Sequence, residues 1–278
     1  MSHLRNLFHQ PATPHTYHAP SPSHVLQEES AAAVTSPLPE LPAQEVRILP
    51  ENRIIFHTDP RSPAADRFRL LRMRLKEPWS AGKLKKLLIT SPLPGDGKST
   101  ITLNLATALS ERGKRSVLVI EADLHHSSLS EILRINPWAG LTESLLDEST
   151  SPFSVIRRIE PLGWHLLPAG EPRTNPTELL QTPAFAHLME KVSPSFDWIL
   201  IDSPPVVPLT DALSIQQHTD ASLLVVKAGS TPREAIEQSI SLIGRPHIFS
   251  VVLNGVETRN HLYYRYRYYD GHGSDQED

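Results

Sequence analysis

The feature that most restricts how this chain can fold is a glycine-bearing loop between a short apolar segment and a helix-like segment. The loop spans residues 91–100, with the sequence Ser-Pro-Leu-Pro-Gly-Asp-Gly-Lys-Ser-Thr, between the apolar residues 84–90 and a helical pattern over 99–112. Gly95 and Gly97 permit backbone angles and a close approach that a side chain would block, so successive N–H groups can point at phosphate oxygens. The order of strand, glycine turn and helix therefore predicts a phosphate-binding loop.

Two side chains at the end of this loop have the chemistry that a nucleoside triphosphate and its metal require. Lys98 can reach the β- and γ-phosphates as a point charge, and the Ser99 hydroxyl can ligate Mg²⁺. The first glycine of the pattern G-x-x-x-x-G-K-[ST] falls at Pro92, so the loop is a variant, and a chance Gly-Lys-Ser in a capping turn is the alternative. Asp202 favours the nucleotide site, because a carboxylate at the carboxyl edge of a parallel sheet can hold Mg²⁺-bound water.

Short apolar segments alternate with helical patterns along the rest of the chain. The predicted strands are 84–90, 116–120, 164–167, 198–201, 222–226 and 250–253. The predicted helices are 63–76, 99–112, 183–192, 209–218 and 231–243. Alternation of this kind predicts a mostly parallel central sheet with helices on both faces, a three-layer α/β P-loop NTPase fold.

Composition restricts the class of protein and its surroundings. The net charge of −4 and the pI near 6.4 lack the basic signature of nucleic-acid-binding proteins, so nucleic acid is not an expected partner. The chain has no cysteine, which excludes disulfides, thiolate metal sites and cysteine nucleophiles and fits a reducing cytoplasm. No apolar run approaches the roughly 18 residues of a membrane-spanning helix, so we expect a cytoplasmic chain that reaches a membrane only through a partner.

Three regions are expected along the chain. Residues 1–50 hold eight of the 26 prolines and five of the 14 histidines at irregular spacing, which predicts a disordered arm and not a metal-binding tract. Residues 51–260 form the expected P-loop domain, which includes an amphipathic helix over 63–76 that Pro78 should end. Residues 261–278 are an expected flexible tail, in which five of the six tyrosines lie within seven residues, between arginines.

A further pair of acids follows one of the predicted strands. Glu121 and Asp123 leave it two residues apart on the same side, so both carboxylates can face the phosphates. Acids clustered near Lys98 are tolerable when Mg²⁺ offsets their repulsion. The alternative is structural, with a helix N-cap by Asp123 and a salt bridge by Glu121. His125 and His126 are expected to be loop residues and not metal ligands.

These motifs together resemble those of the bacterial tyrosine kinases of exopolysaccharide and capsule synthesis. The loop 91–100, the acid-x-Asp strand end and Asp202-Ser-Pro-Pro205 look like the Walker A, A′ and B motifs of that family. The similarity covers about residues 53–269 and includes Leu167-Pro-Ala-Gly170, Asn175-Pro-Thr-Glu-Leu-Leu180 and Val252-Leu-Asn-Gly255. The resemblance implies a MinD/ParA-like fold and a stand-alone cytoplasmic kinase subunit.

Two flanking features add to the resemblance. Asp66, Arg69 and Arg72 reproduce, with Asp for Glu, the acid-x-x-Arg-x-x-Arg helix that packs one subunit on the next in that family, and they share one helix face. An exposed helix with an internal ion pair is the alternative. The tyrosine cluster is similar to the family's autophosphorylation substrate, with a sticky aromatic strand or a basic membrane-surface patch as the alternative. The implied phosphoacceptors are Tyr263, Tyr264, Tyr266, Tyr268 and Tyr269.

The resemblance implies an ATP- and Mg²⁺-dependent protein-tyrosine autokinase that regulates exopolysaccharide or capsule synthesis and export. It also implies a homo-oligomeric ring, in which each tail enters the neighbouring active site, and a transmembrane polysaccharide co-polymerase that activates the subunit at the inner face of the plasma membrane. The implied catalytic residues are Lys98, Glu121, Asp123 and Asp202. The implied nucleotide contacts are Gly95, Asp96, Gly97, Lys98, Ser99, Thr100 and Asn254, and the implied Mg²⁺ ligands are Ser99, Asp123 and Asp202.

Departures from the family's pattern bear on activity. The family's strand ends Asp-x-Asp-x-Arg, whereas this chain has Glu121, Asp123 and His125, and the first aspartate is the family's expected base for the tyrosine hydroxyl. A positioning error near 1 Å can cost about a hundredfold in rate, and the loss of arginine at His125 removes a possible phosphate or subunit contact. A catalytically weak, ATP-binding scaffold of polysaccharide assembly is therefore a second hypothesis.

A partition or septum-positioning ATPase of the same fold is a third hypothesis. Such proteins carry a signature lysine five residues before the position of Lys98, where this chain has Leu93, and a tyrosine-rich tail has no purpose in them. Iron–sulfur reductases of this fold are excluded because the chain has no cysteine.

Overall fold

The computed structural model describes residues 36–135, 138–147, 149, 151–172, 175–207 and 210–256. The strands are β1 (Ala43–Glu45), β2 (Lys86–Thr90), β3 (Val117–Glu121), β4 (Arg157–Glu160), β5 (Trp164–Leu167), β6 (Trp198–Asp202), β7 (Ala221–Lys227) and β8 (Ile248–Asn254). The α-helices are α1 (Ile55–Thr58), α2 (Pro63–Ser80), α3 (Lys98–Leu109), α4 (Ser128–Leu133), α5 (Leu141–Leu146), α6 (Pro176–Leu180), α7 (Pro183–Val192), α8 (Asp211–Gln216) and α9 (Arg233–Ile243).

The strands form one sheet of order β1-β4-β5-β3-β6-β2-β7-β8. Every pairing is parallel except that of β4 with β5, which is antiparallel. In the middle of the sheet Glu121 of β3 lies opposite Asp202 of β6, and Asp202 lies opposite Ile89 of β2. The carboxyl ends of the three central strands therefore meet at one edge, where the phosphate loop follows β2.

Helices cover both faces of the sheet, which confirms the three-layer fold. Alternate residues of each central strand point to opposite faces. Leu87, Val119 and Leu200 pack with α2 and α3 in one buried cluster, and Leu88, Leu118 and Ile199 pack with α5 and α7 in another. Because both faces are buried, the central strands are apolar at almost every position, and this is the pattern from which the fold was predicted.

Residues 36–50 differ from the predicted disordered arm. Residues Ala43–Glu45 form β1 at one edge of the sheet, parallel to β4, and Val46 is buried with its N–H bonded to the Glu160 carbonyl. A three-residue strand with one half-buried side chain has no apolar period, so sequence pattern could not reveal it. The ordered chain therefore begins before the predicted boundary at residue 50.

Helix α2 also differs from its prediction, because it continues through Pro78 to Ser80. Proline this near the end of a helix removes only one backbone hydrogen bond. The last turn is held by Trp79, which is buried, stacks on Trp198 with ring centroids 5.8 Å apart and donates its indole N–H to the Asp197 carbonyl at 2.9 Å. Tertiary packing of one aromatic residue thus outweighs the local cost of the proline.

Among the residues that the structure describes, no helix combines the length and the apolar character needed to cross a bilayer. The tyrosine cluster lies outside the described part of the chain, as does residue 209, the first of the predicted helix 209–218, of which 211–216 form α8.

Candidate functional site

The phosphate loop occupies the predicted position between β2 and α3. Gly95 and Gly97 have φ angles of 80° and 98°, in the left-handed region that favours glycine, and Gly97 is the N-cap of α3. The first helical residue is Lys98, so the free N–H groups of the first turn of α3 open toward the loop. Backbone amides and the positive end of a helix therefore converge where phosphate oxygens are expected.

The loop is held in shape by Asp96, whose side chain is buried. One carboxylate oxygen accepts the Thr231 hydroxyl at 2.7 Å and the other accepts the Leu93 N–H at 3.1 Å. Asn254, at the end of β8, donates its side-chain amide to the Asp96 carbonyl at 2.9 Å. Both side chains therefore brace the loop, and the predicted contact of Asp96 and Asn254 with a nucleotide stays a prediction.

Gly97 also has a steric reason for lacking a side chain. A Cβ atom there would lie 2.1 Å from the Asn254 amide nitrogen, far inside contact distance. A side chain at this position would therefore displace the Asn254 amide from the loop, and the φ of 98° independently favours glycine.

Lys98 projects from the start of α3 toward the carboxyl ends of β3 and β6. Its ammonium lies 3.0 Å from a carboxylate oxygen of Asp123, and only 11% and 4% of the two side chains are exposed. Burial would lower the pKa of Lys98, but the carboxylates of Asp202 and Asp123 more than offset it and raise the pKa. The lysine is therefore a fixed positive charge, and two of its three N–H donors remain for phosphate oxygens.

Asp202 ends β6 beneath the loop and is fully buried. Its two oxygens accept the hydroxyls of Ser99 at 2.8 Å and Thr102 at 3.1 Å. Burial raises the pKa of Asp202 to about 6, against the lowering effect of Lys98 and Ser99. A cation at this point would favour the ionised carboxylate.

The donor set around Ser99 and Asp202 fits Mg²⁺. One hydroxyl and one carboxylate, without a cage of protein ligands, suit a metal that keeps several waters and is shared with phosphates. In the described part of the chain, no group of three or more His, Asp or Glu side chains is arranged to hold a metal, so a nucleotide would supply the remaining oxygens.

Glu121 does not face the phosphates as predicted. One of its oxygens accepts the N–H groups of Leu129 at 2.7 Å and Ser130 at 3.0 Å. The other accepts the Ser130 hydroxyl at 2.6 Å and the Ala169 N–H at 3.1 Å. Burial raises the pKa of Glu121, and these hydrogen bonds oppose the rise. With all four acceptor positions filled, Glu121 joins β3 to the start of α4 and to the chain after β5.

A histidine–aspartate pair near the site was not predicted. The Nε2 atom of His125 lies 2.9 Å from one carboxylate oxygen of Asp211, while the other oxygen of Asp211 is buried with no hydrogen-bond partner among the described residues. Asp211 opens α8, 86 positions further along the chain. No local pattern links two residues at that separation, so only the fold reveals their contact.

The residues of the predicted assembly helix lie outside this site. Asp66 and Arg69 form a half-buried ion pair at 2.7 Å on α2, and Arg72 donates to the Ala108 carbonyl of α3 at 3.1 Å. The predicted side-by-side placement of the first two is confirmed. Their role in assembly stays a prediction.

A family model described as ParA, NUBPL iron-transfer P-loop NTPase, matches residues 83–248. The matched segment begins just before β2 and ends at the start of β8, so it includes the phosphate loop, both acidic strand ends and the central parallel strands.

The chain is similar to three curated relatives. It is 33% identical to Tyrosine-protein kinase ptk of Acinetobacter johnsonii over 78% of this chain and 30% of that protein. It is 29% identical to Tyrosine-protein kinase YwqD of Bacillus subtilis (strain 168) over 78% of this chain and 91% of that protein. It is 30% identical to Succinoglycan biosynthesis transport protein ExoP of Rhizobium meliloti (strain 1021) over 78% of this chain and 28% of that protein. The chain thus spans under a third of the first and third relatives and most of the second.

The solved structure of the BceF tyrosine kinase domain is 30% identical, with a TM-score of 0.65 over 73% of this chain and 82% of that domain. The likeness therefore extends over most of a kinase domain and is not confined to the phosphate loop.

Proposed function

We propose a function from one premise, that this chain belongs to the bacterial tyrosine kinases within the ParA-type P-loop NTPases. The proposed function is transfer of the γ-phosphoryl group of ATP to tyrosine. The observation that carries the proposal is the convergence of Lys98, Asp123, Ser99 and Asp202 beneath one glycine loop. Each of these side chains is held by another, so the site is arranged before a nucleotide arrives.

The nucleotide part of the proposal rests on the loop and its first helical turn. The amides around Gly95 and Gly97 bind the phosphate oxygens, and Lys98 neutralises charge that develops on the γ-phosphoryl group. Mg²⁺, when bound, would offset the negative charge of the phosphates. Ser99 and Asp202 are the side chains that would hold it, since their oxygens already lie 2.8 Å apart.

In the transfer, the bond between the γ-phosphorus and the ADP oxygen breaks while a bond from the tyrosine oxygen to the same phosphorus forms. The tyrosine proton needs an acceptor, and the acids at the end of β3 differ in their capacity to take it. Glu121 already accepts four hydrogen bonds. Asp123 accepts the His126 N–H and pairs with Lys98, which leaves acceptor capacity on its carboxylate. We therefore assign the proton acceptor to Asp123 and a structural role to Glu121.

The tyrosine substrate that we propose is the cluster Tyr263–Tyr269 of the chain's own tail, presented to a neighbouring subunit. Self-association through α2 is supported by the exposed side chains of Leu70 and Met73, which are 46% and 67% exposed beside Asp66, Arg69 and Arg72. Exposed apolar residues beside an ion-paired stripe are typical of a surface that packs on a partner. Head-to-tail contacts between identical subunits form either closed rings or open filaments. Of these two, we propose a closed ring.

The biological process that we propose is exopolysaccharide or capsule synthesis and export. The name of ExoP, a succinoglycan biosynthesis transport protein, supports this context. We also propose a transmembrane activating partner, which would place the chain at the inner face of the plasma membrane.

The experiment incubates the purified chain with Mg-ATP and detects phosphotyrosine by blotting and by mass spectrometry of the tail peptide. Lys98→Met serves as the inactive control, and a variant with all five clustered tyrosines changed to Phe tests the substrate. We expect tail phosphorylation that both variants abolish. Phosphorylation that persists in the Lys98→Met protein would contradict the proposal.

A second candidate function, a nucleotide-binding scaffold without phosphotransfer, is favoured by the capping position of Glu121. Calorimetry with Mg-ADP separates the two functions. Nucleotide binding without phosphotyrosine, even when the cytoplasmic fragment of a membrane activator is supplied, would support the scaffold. If neither Mg-ADP binding nor phosphotyrosine is detected, the kinase and the scaffold function are both wrong.

A further inference from the structure

A polar cavity of about 560 Å³ lies at the end of α3 that is remote from the phosphate loop. Its walls come from α1 and α2, from the end of α3 and the turn that follows it, and from β4 with its connection to β5. At a rise of 1.5 Å per residue, the 12 residues of α3 place the cavity roughly 17 Å from Lys98. The cavity is thus separate from the nucleotide site and is not used by the proposed phosphotransfer.

The cavity is strongly basic, although the chain as a whole is acidic. Five of its lining residues are cationic, namely Arg69, Arg72, Arg112, Lys114 and Arg158, and two are acidic, namely Glu111 and Glu160. With its histidine neutral, the lining therefore has a net charge of +3. The carbonyl end of α3 attracts cations with only about half an elementary charge, so the helix does not account for this excess.

The cations differ in how they are held. Arg72 donates to the Ala108 carbonyl at 3.1 Å, and Arg158 pairs with Glu160 at 2.8 Å, so both guanidinium groups are oriented. Arg112 and Lys114 are exposed, and neither forms an ion pair with any residue that the structure describes. Arg69 is oriented as well, by its ion pair with Asp66 at 2.7 Å. Three oriented and two available cations around one cavity are suited to an anion with several charged oxygens.

The turn that carries Arg112 is strained. Glu111 and Arg112 have φ angles of 48° and 62°, followed by Gly113 at 81°, and the turn closes with a bond of 3.1 Å from the Arg115 N–H to the Ser110 carbonyl. A left-handed conformation costs a non-glycine residue roughly 1–2 kcal/mol. Strained backbone of this kind is typical of turns with a function. Here the strained turn presents Arg112, which has no ion pair among the described residues.

We propose that this cavity binds the chain's own tail, residues 263–269, once its tyrosines are phosphorylated. A phosphotyrosine has close to two negative charges and three acceptor oxygens, which match paired guanidinium groups. The proposal rests on the proposed kinase function for the origin of the phosphate. The unphosphorylated segment contains two arginines and no acid, so the cavity would repel it.

The chain can reach the cavity without a neighbour. Val256, the last described residue, lines a groove together with Leu70 of α2, and Arg69 is the adjacent residue of the same helix. The distance across one helix is about 10–12 Å, whereas the six residues between Val256 and Tyr263 extend over up to roughly 20 Å. The occupant is therefore within range of the cavity in the same subunit.

Occupation of the cavity would interfere with assembly. Arg69 and Arg72 line the cavity and also belong to the stripe on α2 that we propose for the subunit contact. A phosphorylated tail that holds these arginines would compete with the next subunit for them. Phosphorylation would then dissociate the ring by competition for a specific site, in addition to general charge repulsion.

The test measures binding of fluorescein-labelled synthetic peptides of residues 260–272, with and without phosphate on the tyrosines, to the phosphatase-treated full-length chain by anisotropy. Saturating Mg-ADP keeps the peptides out of the phosphate loop. We expect the phosphorylated peptide to bind at least roughly tenfold more tightly than the unphosphorylated one. The double variant Arg112→Gln/Lys114→Gln should lose roughly tenfold or more of that affinity.

The matched control is Lys83→Gln/Arg245→Gln, which removes the same two charge types from exposed positions elsewhere. It should bind the phosphorylated peptide within about twofold of the parent. Equal affinity for the two peptides, or equal loss in both double variants, would overturn the proposal. The phosphate of the peptide is introduced by chemical synthesis, so this result does not depend on the kinase assay. The kinase proposal and the cavity proposal can therefore fail separately.

Discussion

The two ends of α3 use charge in opposite ways. At its amino end Lys98 is buried against Asp123, Asp202 holds two hydroxyls, and Glu121 has every acceptor position filled. At its carboxyl end Arg112 and Lys114 extend into an open cavity with no ionic partner among the described residues. The first end shows groups fixed in advance for a reaction, and the second shows charge left available for a ligand.

This difference predicts how each end responds to substitution. Where charges are buried and mutually paired, removal of one leaves another without its partner and costs several kcal/mol. Where charges are exposed and unpaired, their removal changes stability little and changes only binding.

The largest loss of nucleotide affinity is expected for Gly97→Ala. The new methyl group would lie 2.1 Å from the nitrogen of the Asn254 side-chain amide, so that side chain must move and release its bond to the Asp96 carbonyl. The φ of 98° also strains any residue other than glycine. We expect Mg-ADP affinity to fall by about a hundredfold or more in calorimetry, since a loss near 2.7 kcal/mol is enough for that factor.

Gly82→Ala is the matched control for backbone strain, because Gly82 has a φ of 68° and no atom within 4 Å of the added Cβ. It should cost about 1 kcal/mol of stability and leave nucleotide affinity unchanged. Partial recovery of affinity in Gly97→Ala/Asn254→Ala would assign the defect to this contact. Full affinity of Gly97→Ala alone would contradict the packing argument.

Glu121→Gln tests whether the acid is structural. An amide nitrogen would face N–H groups that now donate to a carboxylate, so we expect a loss of about 2–3 kcal/mol of unfolding free energy. That corresponds to a melting temperature lower by roughly 5–10 °C, measured by scanning calorimetry.

Glu121→Asp restores the residue that the family pattern has at this position. It is one methylene too short to keep both the α4 and Ala169 contacts, so it should destabilise the chain without raising tail phosphorylation. Increased phosphorylation at unchanged stability would instead show that this carboxylate acts on the tyrosine.

In strand β5, His165→Phe should change the pH dependence of stability. His165 is buried beside the Val117 carbonyl, and burial, opposed by that hydrogen bond and aided by the charge of Arg158, lowers its pKa to about 4. An unfolded histidine has a pKa near 6.5. The neutral ring therefore contributes stability that is present above pH 6.5 and is lost as the pH falls toward 4.

Denaturant melts of the parent and of His165→Phe measure this loss. The stability of the parent relative to the variant should fall by about 3 kcal/mol between pH 6.5 and pH 4. Asp202 has the opposite dependence, because its pKa is raised to about 6, but it is common to both proteins and cancels in the difference. Parallel curves would mean that His165 is protonated in the folded chain.

The smallest effect is expected for Arg112→Gln/Lys114→Gln. Because neither side chain has an ion pair among the described residues, the free energy of unfolding should change by less than about 0.5 kcal/mol in denaturant melts. A loss above about 2 kcal/mol would show that these side chains stabilise the fold. Charged groups at both ends of α3 would then be structural, and the contrast between the two ends would disappear.

The sequence predicted the amino end of α3 better than the carboxyl end. The loop glycines, Lys98, Ser99 and the strand-end acids follow from local pattern together with the rule that parallel strands meet at one edge. The direction of Glu121 could not be predicted, because it depends on where α4 begins. The pairing of His125 with Asp211 and the cavity around Arg112 join segments that are distant along the chain, so no spacing reveals them.

The bond from Asn254 to Asp96 makes the final strand a mechanical part of the nucleotide site. The tyrosines follow β8 in the sequence, so tension on the tail would reach the backbone of the phosphate loop through this bond. By thermodynamic reciprocity, a nucleotide that stiffens the loop must also restrain the root of the tail. Pulling on the tail of a single molecule should therefore speed nucleotide release.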